Sequence, residues 1–144
     1  MSHVEGSINI NVSPKIIQQA LEAVEDAPQW AEYLQSVSEV KGRGAGCTYQ
    51  WKYSQKGISF SGQTKILEST PGRFVMTTLG GIPSTWTWTM LPFGDSTELR
   101  LAIEYTVPGS VFGKIADKLI VERENQKAIT NGLAALKKRL ESKK

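Results

Sequence analysis

The chain opens on an alternation of apolar and polar residues. Val4, Gly6, Ile8, Ile10 and Val12 are interleaved with His3, Glu5, Ser7, Asn9 and Asn11, the period of a strand that lays one face on a core. The spacing then lengthens. Ile16, Ile17, Ala20, Leu21 and Val24 recur at helical intervals and form an apolar stripe. Ser13-Pro14 predicts the start of this helix, with Ser13 capping and Pro14 at the first helical position. Asp26-Ala27-Pro28 predicts its end and the start of a second short helical segment carrying Trp30, Tyr33 and Leu34. Trp30 and Tyr33, three residues apart, share a face of that segment.

From Val37 to Val107 the period becomes two. Cys47, Tyr49, Trp51 and Tyr53 alternate with Thr48, Gln50 and Lys52, and after Lys56-Gly57 the same alternation runs through Ile58, Phe60, Gly62, Thr64 and Ile66. Pro71-Gly72 precedes Phe74 and Met76, and Gly80-Gly81 precedes Trp86, Trp88 and Met90, which alternate with Thr85, Thr87 and Thr89. After Phe93-Gly94-Asp95, Leu99, Leu101, Ile103 and Tyr105 face one way, with Arg100, Ala102 and Glu104 the other. Short turns between alternating strands predict an antiparallel meander with one packed face. Pro108-Gly109 ends it. Ser110 is placed to cap a long helix reaching about Glu141, whose inward stripe is Phe112, Ile115, Leu119, Ile129, Leu133, Leu136 and Leu140. Asn131-Gly132 interrupts that stripe; a mid-helix glycine costs about 1 kcal/mol against alanine. Because the stripe continues in phase, the glycine reads as a close approach to the sheet rather than a break.

The predicted order is therefore strand, two helices, six strands, long helix, in a single domain over residues 1–144, an α+β architecture. A strongly curved sheet gripping such a helix leaves space that a flat sheet would not. Between Leu119 and Ile129 the stripe meets Glu122, Arg123 and Gln126, all polar. A filled apolar core does not place unpaired charge there. Opposite them stand Trp51, Tyr53, Trp86, Trp88 and Tyr105. These aromatics either fill a core or line a cavity with an apolar body and a few polar groups. The cavity reading adds Phe60, Met76, Ile103, Phe112 and Leu119 to the walls. Its mouth falls near Gly80-Gly81-Ile82-Pro83 and Pro108-Gly109-Ser110-Val111-Phe112.

Charge changes this picture little. The net charge is +3, but residues 137–144 hold five cations against Glu141, so that segment is +4 and the remainder −1. The basicity is that of a helix end favoured by the dipole, not of a face reading nucleic acid. With one cysteine, Cys47, there is no internal disulfide and no cysteine-built metal site. His3 is the one histidine, so histidine-based metal sets and catalytic triads have too few members. Gly42-Arg43-Gly44-Ala45-Gly46 lacks the Lys-Ser/Thr ending of a phosphate loop and reads as a hairpin turn. Acid/base chemistry would fall to Glu122 and Arg123, with Glu104 expected to face outward. No stretch approaches the roughly 20 apolar residues of a membrane span, and the first residues lack a signal-peptide pattern. The expectation is a cytoplasmic protein, a monomer or weak dimer, with an apolar small-molecule ligand and no nucleic-acid partner.

The opening strand, the run SPKIIQQALEAVEDAPQWAEYLQSVSEVK, then GAGCTYQWKY, ESTPGRF, TWTWTM, GDSTELRLAIEYTVPG and the closing KKRLE resemble the polyketide cyclase/dehydrase and lipid-transport group of the START/Bet v1-like superfamily. The resemblance covers nearly the whole chain. It implies the helix-grip fold: a seven-stranded curved antiparallel sheet, two short supporting helices and a long C-terminal helix across the concave face. It also implies binding or transport of a lipid, a polyketide-like aromatic or a quinone, without metal or cofactor. Alternatives in the same group are a cofactor-independent cyclase or dehydratase and a ribosome- or chaperone-associated interaction protein. The group has no universal catalytic residues, and fold alone does not assign one.

Overall fold

The computed structural model describes residues 2–31, 34–55, 57–80, 82–106 and 118–142. Strand β1 (Ser2–Ile10) is followed by helix α1 (Pro14–Glu22) and a 3₁₀ helix (Val24–Gln29). Six strands follow: β2 (Leu34–Lys41), β3 (Thr48–Gln55), β4 (Ile58–Ser69), β5 (Arg73–Leu79), β6 (Ser84–Phe93) and β7 (Ser96–Tyr105). Helix α2 (Lys118–Ser142) closes the chain. The strands form one antiparallel sheet in the order β1-β7-β6-β5-β4-β3-β2, so β1 returns to pair with β7 and β2 forms the other edge.

Local chemistry accounts for most of these boundaries. Pro14 holds the first position of α1, and the Ser13 carbonyl accepts from the Ile16 and Ile17 amides. The expected side-chain cap from Ser13 is not made. The second helical segment is shorter than its apolar spacing suggests. The 3₁₀ helix contains Pro28 and ends before Trp30, and Leu34 pairs with Tyr53 as the first residue of β2. Three-residue-per-turn helices rarely run long, and sheet pairing offers Leu34 a partner that the helix could not.

Glycine sets the sheet's curvature at one place above all. A Cβ on Gly62 would lie 2.0 Å from the Leu79 carbonyl oxygen and 2.7 Å from Cζ2 of Trp51. Gly80, at φ +92°, would bring a Cβ within 2.6 Å of the Ser61 carbonyl. The backbones of β4 and β5 thus meet where no side chain fits, and the Trp51 ring covers the gap. A bulge between Ile66 and Glu68 adds to the bend.

The concave face carries the core. Ile10, Ile66, Phe74, Trp88, Met90, Leu99 and Leu101 from the sheet meet Ile17 and Leu21 of α1 and Ile129, Leu133, Leu136 and Leu140 of α2. Helix α2 runs alongside β1. Gly6 lets it come close, since a Cβ there would sit 2.7 Å from Cγ2 of Ile129. The helix also bonds to the strand's outer edge. Gln126 donates to the Glu5 carbonyl at 2.9 Å, Lys137 to the Asn9 carbonyl at 2.6 Å, and the Asn11 amide to Glu141 at 2.9 Å.

Helix α2 does not break at Gly132. The expected close approach to the sheet is not found at Gly132. Gly132 is buried, and its Cβ position faces the Trp30 carbonyl at 3.9 Å, an ordinary contact with the connection before β2 rather than with the sheet.

Candidate functional site

The register of the sheet places the expected lining residues of five strands on one face. Met76 pairs with Trp86 and Trp86 with Ile103; Tyr53 pairs with Phe60, and Trp51 with Gly62. Trp88 is 1% exposed, stacked on Trp86 (centroids 6.3 Å, 29°) and met edge-on by Trp30 (5.9 Å, 81°). Tyr53 and Phe60 lie 6.5 Å apart between centroids. Both are half-buried, as are Trp51, Met76 and Trp86, whereas Ile103 and Tyr105 are buried. Phe112 lies outside the described residues. Leu119 and Glu122 fall on the first turns of α2.

Two expected members turn away. Arg123 and Gln126 are exposed, and Gln126 commits its amide to the edge of β1. The buried residues Ile129, Gly132, Leu133, Leu136 and Leu140 define the inward face of α2. One helical turn before Ile129 that face passes through half-buried Asn125, leaving Gln126 at the flank. The polar gap in the stripe is therefore solvent-facing at these two positions. Glu104 is exposed, as its alternation requires.

The sheet also aligns residues that apolar spacing passes over. Tyr105 pairs with Ser84, Ser84 with Thr78, Thr78 with Thr64, and Thr64 with Tyr49. Five hydroxyls thus cross β7, β6, β5, β4 and β3 in one row of the concave face. Tyr49, Thr64, Thr78 and Tyr105 are buried and Ser84 is half-buried. The adjacent row is apolar: Ile103, Trp86, Met76 and Ile66.

Most of the hydroxyl row is bonded within itself. Thr78 Oγ1 and Ser84 Oγ are 2.6 Å apart, and Trp86 Nε1 donates to Ser84 Oγ at 2.9 Å. Tyr49 points its hydroxyl at Met76 Sδ, 3.8 Å away, and is hydrogen-bonded by Thr64. Burial pushes the Tyr49 phenol up to about 12, with the Thr64 hydrogen bond opposing and Cys47 adding. Three buried polar atoms have no partner among the described residues: Trp51 Nε1, Trp88 Nε1 and Tyr105 Oη. Such groups are uncommon in folded proteins. All three can donate, and an indole N–H can do nothing else.

Other candidate chemistry is thin. Cys47 is buried just before β3, and burial raises its thiol pKa, with Glu25 adding and Arg43 opposing; it is a packed thiol. Among the described residues no group of three His, Cys, Asp or Glu is placed to hold a metal. No described helix is long and apolar enough to cross a membrane. An open depression of about 360 Å³ lies beside Ser38, Gln50, Lys52, Ser61 and Gln63. Those five residues are exposed and alternate with the concave set, but Trp51 and Gly62 complete the lining, so this hollow opens on the outer face and borders the wall at Trp51.

A family model described as polyketide cyclase/dehydrase and lipid transport matches residues 1–141. Among solved structures, a protein of Thermus thermophilus is similar with a TM-score of 0.85 at 19% identity, covering 98% of each chain. A START superfamily protein from Mycobacterium smegmatis gives 0.79 at 17% identity, with 99% of each chain covered. The Zhui aromatase/cyclase from Streptomyces sp. R1128 gives 0.74 at 14% identity, over 97% of this chain and 93% of that one. No curated protein matches by sequence. At these identities the structures establish a shared fold: the seven-stranded curved sheet with its C-terminal helix is the helix-grip arrangement.

Proposed function

The chain belongs to the polyketide cyclase/dehydrase and lipid transport family, and from that premise we propose that it binds or carries an apolar small molecule between the concave face of the sheet and α2. One observation carries the reading. The aromatic wall buries three hydrogen-bonding atoms, Trp51 Nε1, Trp88 Nε1 and Tyr105 Oη, that the described residues leave unpartnered. Leaving such atoms unmet in a folded interior costs about 1–3 kcal/mol each, and a ligand with its own polar atoms removes that cost. Trp51, Tyr53, Phe60, Met76, Trp86, Trp88, Ile103 and Tyr105 form the sheet side of the site.

The protein acts as a cytoplasmic monomer or weak dimer and has no nucleic-acid partner. The basic end of α2 supports the last of these alone, since Lys137 is bonded to Asn9 and Glu141, and Arg139 to Gln29 and Asp26. Native mass spectrometry of the purified protein, followed by organic extraction, tests the binding reading. A stoichiometric apolar adduct is the expected result. A clean unliganded mass that persists after incubation with lipid and aromatic mixtures counts against it.

A second reading, a cofactor-independent cyclase or dehydratase, draws support from the aromatase/cyclase among the structural neighbours. Glu122 is then the acid/base candidate, since Arg123 and Glu104 face solvent. It predicts that Glu122→Gln folds normally and loses turnover of a poly-ketone substrate; retained turnover removes it.

A further inference from the structure

We propose that Tyr105 determines the ligand's chemistry, selecting a neutral apolar molecule that offers an acceptor oxygen, such as a ketone, quinone or ester carbonyl, to the uncommitted hydroxyl of the row. The proposal deepens the binding reading and rests on it.

Four of the five hydroxyls in the row are already committed. Tyr49 and Thr64 bond to each other, as do Thr78 and Ser84, and Trp86 occupies a further lone pair of Ser84. Tyr105, next to Ser84 at the β7 end, is 3% exposed and has no partner among the described residues. The register continues past it to Ser2 of β1, and the Tyr105 hydroxyl is the uncommitted donor of the row. The indoles of Trp51 and Trp88 are also uncommitted, and they donate only. The interior thus offers donors and asks for acceptors.

Charge narrows the class further. Among the described residues the buried polar side chains are Thr64, Thr78 and Thr97, besides the tyrosine and tryptophan heads. No described lysine, arginine or histidine is buried to receive a carboxylate, and no described carboxylate is buried to receive a cation. An unpaired ion in such surroundings is strongly disfavoured, whereas a carbonyl is matched to what the wall supplies. A neutral hydrogen bond of this kind is worth about threefold to tenfold in affinity.

Fluorenone, fluorene and fluorene carboxylate share one ring system and differ in a neutral acceptor, no acceptor and a charge. Equilibrium dialysis of each against the parent protein and Tyr105→Phe tests the proposal. In the parent, fluorenone binds more tightly than fluorene and the carboxylate binds weakest. In Tyr105→Phe, fluorenone loses about threefold to tenfold while fluorene is unchanged. The variant's thermal midpoint is no lower than the parent's, because no internal bond is lost. Unchanged fluorenone affinity, an equal loss for fluorene, or tightest binding of the carboxylate overturns the proposal. Equal binding of fluorene and fluorenone to the parent removes the selection by Tyr105 and leaves the binding reading standing. Absence of binding by all three overturns both.

Discussion

At the α1 end of the concave face, Ile10, Met90 and Leu99 lie beneath Ile17 and Leu21, and the one deeply buried hydroxyl nearby, that of Thr97, is closed onto the Val12 carbonyl at 2.7 Å. At the other end, the same β7 and β6 strands supply Tyr105 and Ser84 to a row of hydroxyls, and donors of Trp51 and Tyr105 are left over, with the unpartnered Trp88 indole lying between the two ends. One end closes its buried hydroxyl internally and behaves as a core. The other keeps buried donors unpartnered, which is what the proposed binding reading draws on. A single sheet can thus hold a region with its hydroxyl satisfied and one with donors left over without a domain boundary, because register alone decides which residues share a row.

The packed side offers the largest effect. Leu136 is fully buried against this core, and Leu136→Ala is expected to cost about 2–5 kcal/mol, read from urea unfolding. A loss below about 1 kcal/mol would mean that the packed end is looser than described.

Alkaline pH probes the other side. Tyr49 is neutral in the folded interior, with its pKa moved from the usual 10 to about 12. The unfolded chain releases this proton first, so the contribution is whole below pH 10 and fades as pH rises through about 12. The expected loss is about 2–3 kcal/mol. Unfolding midpoints of Tyr49→Phe against the parent across that window isolate it: the parent should fall relative to the variant.

Thr78→Val keeps the shape and removes the bond to Ser84. Its expected cost is about 1 kcal/mol, measured by thermal unfolding, with a larger effect on the affinity of an oxygen-bearing ligand than of a hydrocarbon. Equal effects on both would dissolve the distinction between the two ends.

The smallest change has the opposite sign. Gly132 has room for a methyl before the Trp30 carbonyl at 3.9 Å, so Gly132→Ala should stabilise α2 by up to about 1 kcal/mol. A destabilised variant would place α2 tighter against the Trp30 connection than this geometry allows.

Much of the fold is legible in the sequence. Alternation identifies the strands because turn signals such as Pro71-Gly72 and Phe93-Gly94-Asp95 separate them cleanly, and Pro14 marks the start of α1. Leu34 misleads because a hydrophobe beside Trp30 and Tyr33 fits a helical face as well as a strand start, and only pairing with Tyr53 decides. Arg123 and Gln126 mislead for another reason. Carrying the helix phase backwards from Ile129 needs the knowledge that α2 leans on an edge strand, which turns these two outward and Asn125 inward. Thr64, Thr78 and Ser84 sit at inward phase throughout. A single threonine in a strand reads equally as wall or solvent face. Their alignment with Tyr49 and Tyr105 depends on turn lengths and on the β4 bulge, which set register.

The bonds from α2 to Glu5, Asn9 and Asn11 have a consequence beyond holding a helix in place. An uncovered outer strand is a template on which another chain can assemble, and here the lid of the interior is also its sheath. Any motion that lifted the whole helix to admit cargo would bare β1 to self-association. The weakening of Lys137 or Glu141 should therefore show first as polymerisation.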